Sequence, residues 1–201
     1  MRSWLRRVLP GVFAIPLCSV VFAAPDLASV RRSYENADYA TALKEVKPLA
    51  EHGNPDAQLI LGKMYLKGQG VPKDPYQANK WFREAAAQGN AESQFFLGAW
   101  YVLPHKDIAE GLKWMRLSAE QGNQDAQLLL GKAYLQGELP REPVQADMWL
   151  RLAAKDNLDF YKNELRVAEG QMTPEQIAQG KALAENWKPK HGLRPEVKTA
   201  P

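Results

Sequence analysis

The stretch LGKMYLKGQGVPKDP, Leu61 to Pro75, gathers three glycines, three lysines and two prolines. Such a run could cradle a phosphate on its backbone amides, provided a strand precedes it and a helix N-terminus faces the ligand. The residues before it read as helix. Its counterparts further along the chain are VLPHKD, without glycine, and LQGELPRE, with one. Gly68-Gln69-Gly70 is therefore expected to be a turn between helices. Other chemistry is equally sparse. The serines beyond the leader head Ser29-Val-Arg-Arg, Ser33-Tyr-Glu-Asn, Ser93-Gln-Phe-Phe and Ser118-Ala-Glu-Gln, so no Ser-x-x-Lys occurs, and neither His-Glu-x-x-His nor Gly-x-Ser-x-Gly is present. His52, His105 and His191 fall in a helix end, a turn and the tail, without ligand spacing, so no metal and no cofactor is expected. Glu84, Glu110 and Asp125 are scattered on polar helix faces and form no catalytic pair. Trp81, Trp114 and Trp149 could make an aromatic cage, but each holds the same place in a repeated unit, which makes them core residues.

That repeat positions everything else. GNPDAQLILGKMY (Gly53–Tyr65), GNAESQFFLGAWY (Gly89–Tyr101) and GNQDAQLLLGKAY (Gly122–Tyr134) match one another, and so do KWFREAAAQG, KWMRLSAEQG and MWLRLAAKDN downstream of each. A period in the mid-thirties is the mark of a solenoid whose units bury their apolar faces against neighbours. Each unit predicts two helices. Asn54, Asn90 and Asn123 N-cap the first, and Asp74, Asp107 and Glu142 open the second with an acidic residue. Gly62, Gly98 and Gly131 fall in mid-helix, where glycine costs about 1 kcal/mol relative to alanine. The expected reason is close approach by the tryptophan and alanines of the second helix.

The ends differ from the units. Residues 1–23 read as a secretory signal peptide: Arg2, Arg6 and Arg7, an apolar run from Val8 to Phe22, and cleavage after Ala23, with Ala24 as the neighbouring site. Losing those arginines leaves 23 basic against 23 acidic residues, so neither nucleic acid nor an anionic membrane is expected as partner. Cys18 is the single cysteine and departs with the leader, leaving no disulfide. Residues 24–53 form a helical cap with Leu27, Val30 and Tyr34 on one face. The units span 54–89, 90–122 and 123–157. Residues 158–187 make two closing helices, the second opened by the capping box Thr173-Pro174-Glu175-Gln176. The tail 188–201 lacks apolar periodicity and is expected to be disordered.

These residues resemble the Sel-one-like repeat, a subclass of tetratricopeptide-type helical repeats. Ala57 to Gly89 meets its pattern, Ala126 to Asp156 nearly so, and the second unit departs in its short turn and in Ser93, Trp100 and Ser118. MTPEQIAQGKALAENW (Met172–Trp187) looks like the closing helix of short bacterial members. The resemblance implies an all-α, right-handed α-solenoid of paired antiparallel helices, and a binding scaffold rather than an enzyme. Exported members are similar in serving envelope assembly, host contact or inhibition, and a few periplasmic ones look like immunity proteins that neutralise secreted antibacterial effectors. A cysteine-rich branch is linked to β-lactam chemistry, and this chain lacks those cysteines.

First helices line the concave side of such arrays. Position by position, Asp56, Leu59 and Lys63, then Glu92, Phe95 and Ala99, then Asp125, Leu128 and Lys132 should face the groove. Trp100 and Phe95-Phe96 break the repeat with extra aromatic bulk, and Trp100 is expected to join the partner-binding residues of the groove. The expectation is a monomeric periplasmic or secreted protein that holds a partner's helix or extended segment in that groove. Inhibition of an effector is the alternative, and an envelope hydrolase acting on peptidoglycan or β-lactams ranks below both.

Overall fold

The computed structural model describes residues 26–103, 107–156 and 158–195. The expected signal peptide (1–23), His105 in the shortened turn, and 196–201 lie outside the described residues. Among those described there are ten helices and no strand: α1 (Leu27–Glu35), α2 (Tyr39–Glu51), α3 (Pro55–Lys67), α4 (Pro75–Ala87), α5 (Ala91–Val102), α6 (Ile108–Glu120), α7 (Gln124–Gln136), α8 (Pro143–Ala153), α9 (Asp159–Glu169) and α10 (Pro174–Asn186). None of them is long and apolar enough to cross a membrane.

The helix boundaries follow from side-chain chemistry. Asn54 accepts from the amides of Asp56 and Ala57, Asn90 from Ser93 and Asn123 from Ala126, so each unit starts on the same cap. Asp74 and Asp107 cap α4 and α6, whereas Glu142 makes no side-chain cap at α8. Within each unit the amide of that residue donates to the carbonyl of the repeated tyrosine: Asp74 to Tyr65 (2.9 Å), Asp107 to Tyr101 (3.0 Å), Glu142 to Tyr134 (3.3 Å). One closure thus serves three different turns. The Gly68–Gly70 segment is a turn, as expected. Tyr34 donates to Gln69 Oε1 and Gln69 Nε2 to Tyr39 Oη, tying that turn back to the cap.

First and second helices of a unit pack as α3 on α4, α5 on α6 and α7 on α8, and each second helix then meets the next first helix. The mid-helix glycines mark the closest approach. A Cβ at Gly62 would stand 2.6 Å from the Phe82 ring, and one at Gly131 2.7 Å from Leu150 Cγ. At Gly98 it would meet Met115 Cγ at 2.8 Å and the Gly111 carbonyl at 2.9 Å. Close approach is the reason for the glycines. The residue resting on them is the one after each tryptophan, though, because a helix places neighbouring residues on faces about 100° apart. Trp81 packs instead on the cap cluster around Val30, Val46 and Met64, and Trp149 on Ala126, Leu130 and Trp187.

α10 seats on α8, with Gly180 over a fully buried carboxylate. Asp147 Oδ2 accepts from Arg151 Nε at 2.5 Å, Arg151 also pairs with Glu169, and Asp147 Oδ1 has no partner among the described residues. Burial is the leading influence and pushes the Asp147 carboxyl upward, against the hydrogen bond and charge of Arg151. A raised folded-state value means the protonated form suits the fold. Stability from this group is present in acid and is lost as pH rises from about 4, the unfolded carboxylate value. Asp147→Asn is therefore expected to melt higher than wild type at pH 7 and to lack that group's share of the decline. A lower melting temperature at pH 7 would show that pairing with Arg151 outweighs burial.

The tail departs from expectation. Residues 188–195 run as an extended segment across the turns between units, and do so without apolar periodicity because main-chain hydrogen bonds hold them. Lys190 N–H donates to the Glu120 carbonyl (2.9 Å), and Gln94 Nε2 donates to the Leu193 carbonyl (2.6 Å).

Candidate functional site

The first helices α3, α5, α7 and α9 present a row of side chains joined by polar bridges. Arg31 of α1 pairs with Asp56 at 3.1 Å, and Asp56 also accepts from Asn90 Nδ2 at 2.9 Å. Lys63 of α3 pairs with Glu92 of α5 at 2.6 Å. On the other side, Lys132 of α7 pairs with Glu164 of α9 at 2.8 Å, and Tyr161 donates to Asp125 at 2.6 Å. Donation to that carboxylate is the main reason the Tyr161 hydroxyl is pushed up to about 12. Each pair is worth little singly, being partly solvated. Together they show which helices are clamped to which.

One junction lacks such a clamp. Among the described residues no side-chain hydrogen bond or ion pair joins α5 to α7. Ala99 stands where Lys63 and Lys132 stand in the flanking units, so the cation that would bridge to Asp125 is missing. Phe95 fills part of the gap. It is half-buried, edge-on to Phe96 at 5.6 Å, and packs on the cluster of Ala126 and Leu130. Phe96 in turn stacks on Phe82 at 4.5 Å. The result is an apolar break between a Lys63–Glu92 pair and an Asp125–Lys132 flank.

The ten residues singled out from sequence therefore divide. Asp56, Lys63, Glu92, Asp125 and Lys132 lie on the first-helix row, each engaged with a neighbouring helix. Leu59 and Leu128 are nearly buried, at 8% and 6% exposure; Leu59 packs with Phe82 and Phe96, and Leu128 with Tyr161 and Leu165 of α9. They floor the row and offer little surface. Phe95 and Ala99 are half-buried, neither covered completely nor fully exposed. Trp100 is placed elsewhere: it lies edge-on to Tyr76 of α4 at 5.5 Å, on the side of the second helices. Its repeat partners Met64 and Ala133 are buried at that same layer. No group of His, Cys, Asp and Glu among the described residues is arranged to hold a metal ion.

Sequence reasoning passed over the glutamines. Gln58, Gln94 and Gln127 recur in the repeat and are buried, donating to the carbonyls of Ala50, Ala86 and Ala119 respectively. Their signal was available: a polar residue at the same place in three apolar helix starts has to be satisfied internally.

Known proteins share this architecture. The Sel1 repeat model matches residues 55–90, 91–123 and 124–158. A Sel1 repeat protein from Oxalobacter formigenes, known from its crystal structure, is 27% identical with a TM-score of 0.67, over 79% of this chain and 69% of that one. A protective antigen of uropathogenic Escherichia coli strains, displaying an SLR fold, is also 27% identical over 80% of this chain and 45% of that one, with a TM-score of 0.47. The alginate biosynthesis protein AlgK of Pseudomonas syringae pv. tomato (strain ATCC BAA-871 / DC3000) is 26% identical over 188 residues, which is 89% of this chain and 37% of AlgK. The chain thus spans little more than a third of that relative's length. With three consecutive units matched across half of its residues, on the helix pairs and caps described above, the chain belongs to the Sel1 repeat family.

Proposed function

We propose that this chain is an exported, non-catalytic scaffold that binds a segment of a partner protein on its first-helix face, at the apolar break around Phe95 and Ala99. The break in polar bridging between α5 and α7 is the observation that carries this reading. Where every other first-helix junction is clamped, this one leaves an aromatic edge and a small residue between charged flanks. Apolar centres rimmed by polar groups are where binding energy concentrates in protein interfaces. Family membership supports protein binding as the general task and a bacterial envelope as the setting, and the leader sequence supports export.

The sharpest test restores the repeat. Ala99→Lys supplies the cation that both flanking units carry, at the repeat position from which Lys63 pairs with Glu92, and should leave helicity and melting unchanged. It should nevertheless lower partner capture at least tenfold, because a clamped junction has no apolar break. Phe95→Glu should have the same effect on binding. Affinity capture from envelope extract, with the mature chain as bait, would be compared across wild type and both variants. A partner retained equally by all three would place its binding elsewhere. Identification of a secreted antibacterial enzyme as the lost partner would make the protein an inhibitor.

A further inference from the structure

The extended segment 188–195 lies in a site with recognisable chemistry. Leu193 is held at both polar atoms: its N–H donates to Gln121 Oε1 at 3.2 Å and its carbonyl accepts from Gln94 Nε2 at 2.6 Å. Gln121 Nε2 donates to Gln94 Oε1 at 2.8 Å, so the two amides brace one another. Gln94 is fully buried and its other donated bond goes to Ala86. Three residues earlier, Lys190 donates its N–H to the Glu120 carbonyl and sets its ammonium on the Glu120 carboxylate at 2.8 Å. Between them Gly192 has a positive φ of 63° and passes directly over Gly89, where a Cβ would stand 2.9 Å from the Gly192 carbonyl carbon. The edge reads an extended main chain, one cation, and a glycine.

Little apolar burial holds the segment down. Lys188 to Gly192 and Arg194 are exposed, and only Leu193 and Pro195 are half-buried. The same device recurs along the edge. In the first unit Gln88 donates to Gln58 Oε1 as Gln121 does to Gln94, but the second Gln58 donor goes to Glu84 of the array itself. In the third unit Gln127 lines a cleft of about 470 Å³ beside Trp187, Pro189 and His191. Among the described residues the middle unit alone presents its glutamine pair to an outside strand, and the chain's own tail is what it holds.

We propose that this edge, formed by Gln94, Gln121 and Glu120 beside Gly89, is a second protein-binding site, distinct from the first-helix face. Its ligand is an extended segment of a partner protein with the pattern Lys-x-Gly-aliphatic, and residues 188–195 are the resident occupant that such a segment displaces. Main-chain bonds make the edge tolerant of sequence, the Glu120 carboxylate selects the cation, and the left-handed backbone at Gly192 selects the glycine, although a side chain there would meet open space. A tethered occupant competes at high effective concentration, so its release raises apparent affinity for any outside strand.

The test uses the full mature chain and a fluorescent peptide of residues Lys188 to Pro195, followed by anisotropy. Lys190→Glu sets like charges together and frees the tail. That variant should bind the peptide at least tenfold more tightly than wild type does. Adding Glu120→Arg should abolish the gain, because the charges at the two positions are then opposite again, the tail reseats, and the lysine of the peptide is repelled. Ala99→Lys, on the other face, should change nothing here, so this site and the first-helix site fail or stand separately. Equal binding by wild type and Lys190→Glu, or indifference to Glu120→Arg, overturns the proposal. Sedimentation that shows a wild-type dimer dissolved by Lys190→Glu would make a second copy the occupant and overturn the assignment to a partner. Should the variants melt early, hydrogen exchange on wild type decides instead: slow exchange at the Lys190 and Leu193 amides supports the seated tail, and random-coil rates overturn it.

Discussion

Trp149→Ala is expected to cost the array about 3–5 kcal/mol, the usual range for truncating a buried aromatic, and Trp114→Ala distinctly less. The two residues hold one repeat position, so the difference comes from surroundings. Trp149 is 6% exposed, within a cluster that includes Ala126, Leu130 and Leu152, and meets Trp187 edge-on at 6.2 Å. Its loss leaves a cavity and also loosens α10, which seats on α8. Trp114 is half-buried, and its indole N–H is enclosed without a partner among the described residues. Truncating it removes an unsatisfied donor, which offsets part of the lost packing. Urea denaturation followed by circular dichroism, on both variants, gives the comparison. Equal losses would mean that position in the repeat outweighs local burial. A Trp149→Ala variant with wild-type stability would remove α10 and the tail from the cooperative unit.

The contrast shows what a sequence of this kind discloses. Repeat architecture is legible because its markers are local: an asparagine that must cap, a glycine that must end a helix at positive φ, a tryptophan that must be covered. Each can be read without knowing what lies opposite. The residue that rests on Gly62 is a different matter, since Phe82 and Trp81 are adjacent in sequence and differ only in helix phase. The first-helix row was legible as a face, yet its pairing was not. Lys63 finds Glu92 and Lys132 finds Glu164 only through the lateral register of neighbouring helices, which sets whether a charge is free or clamped. Trp100 looked like an addition to the groove because its bulk breaks the repeat; its direction is set by the second-helix layer, where Tyr76 meets it. The tail was the least legible element. Hydrogen bonds to main-chain atoms leave almost no trace in side-chain composition, so a docked strand and a disordered one read alike.

Gly98→Ala is expected to destabilise the protein by about 1–3 kcal/mol, although alanine is the better helix former by about 1 kcal/mol. The middle unit differs from its neighbours in having glycine on both sides of the α5–α6 contact. A Cβ at Gly98 would stand 2.9 Å from the Gly111 carbonyl oxygen, and one at Gly111 would stand 2.8 Å from the Gly98 carbonyl oxygen. At Gly62 all three nearest atoms belong to the Phe82 side chain, and at Gly131 the two nearest belong to Leu150 with the Ala146 carbonyl oxygen further off at 3.1 Å, so more of the clash there can be relieved by side-chain movement. Backbone cannot yield without moving a helix. Separating α5 from α6 would shift Phe95, whose neighbour Phe96 is stacked on Phe82 of the preceding unit, so the strain should reach the first-helix face. Gly98→Ala should accordingly lower both the melting temperature and partner capture, whereas Gly131→Ala should lower melting by less and leave capture intact. If Gly98→Ala instead raises the melting temperature, helix propensity exceeds close packing at this junction, and the apolar break between α5 and α7 owes nothing to the glycine pair behind it.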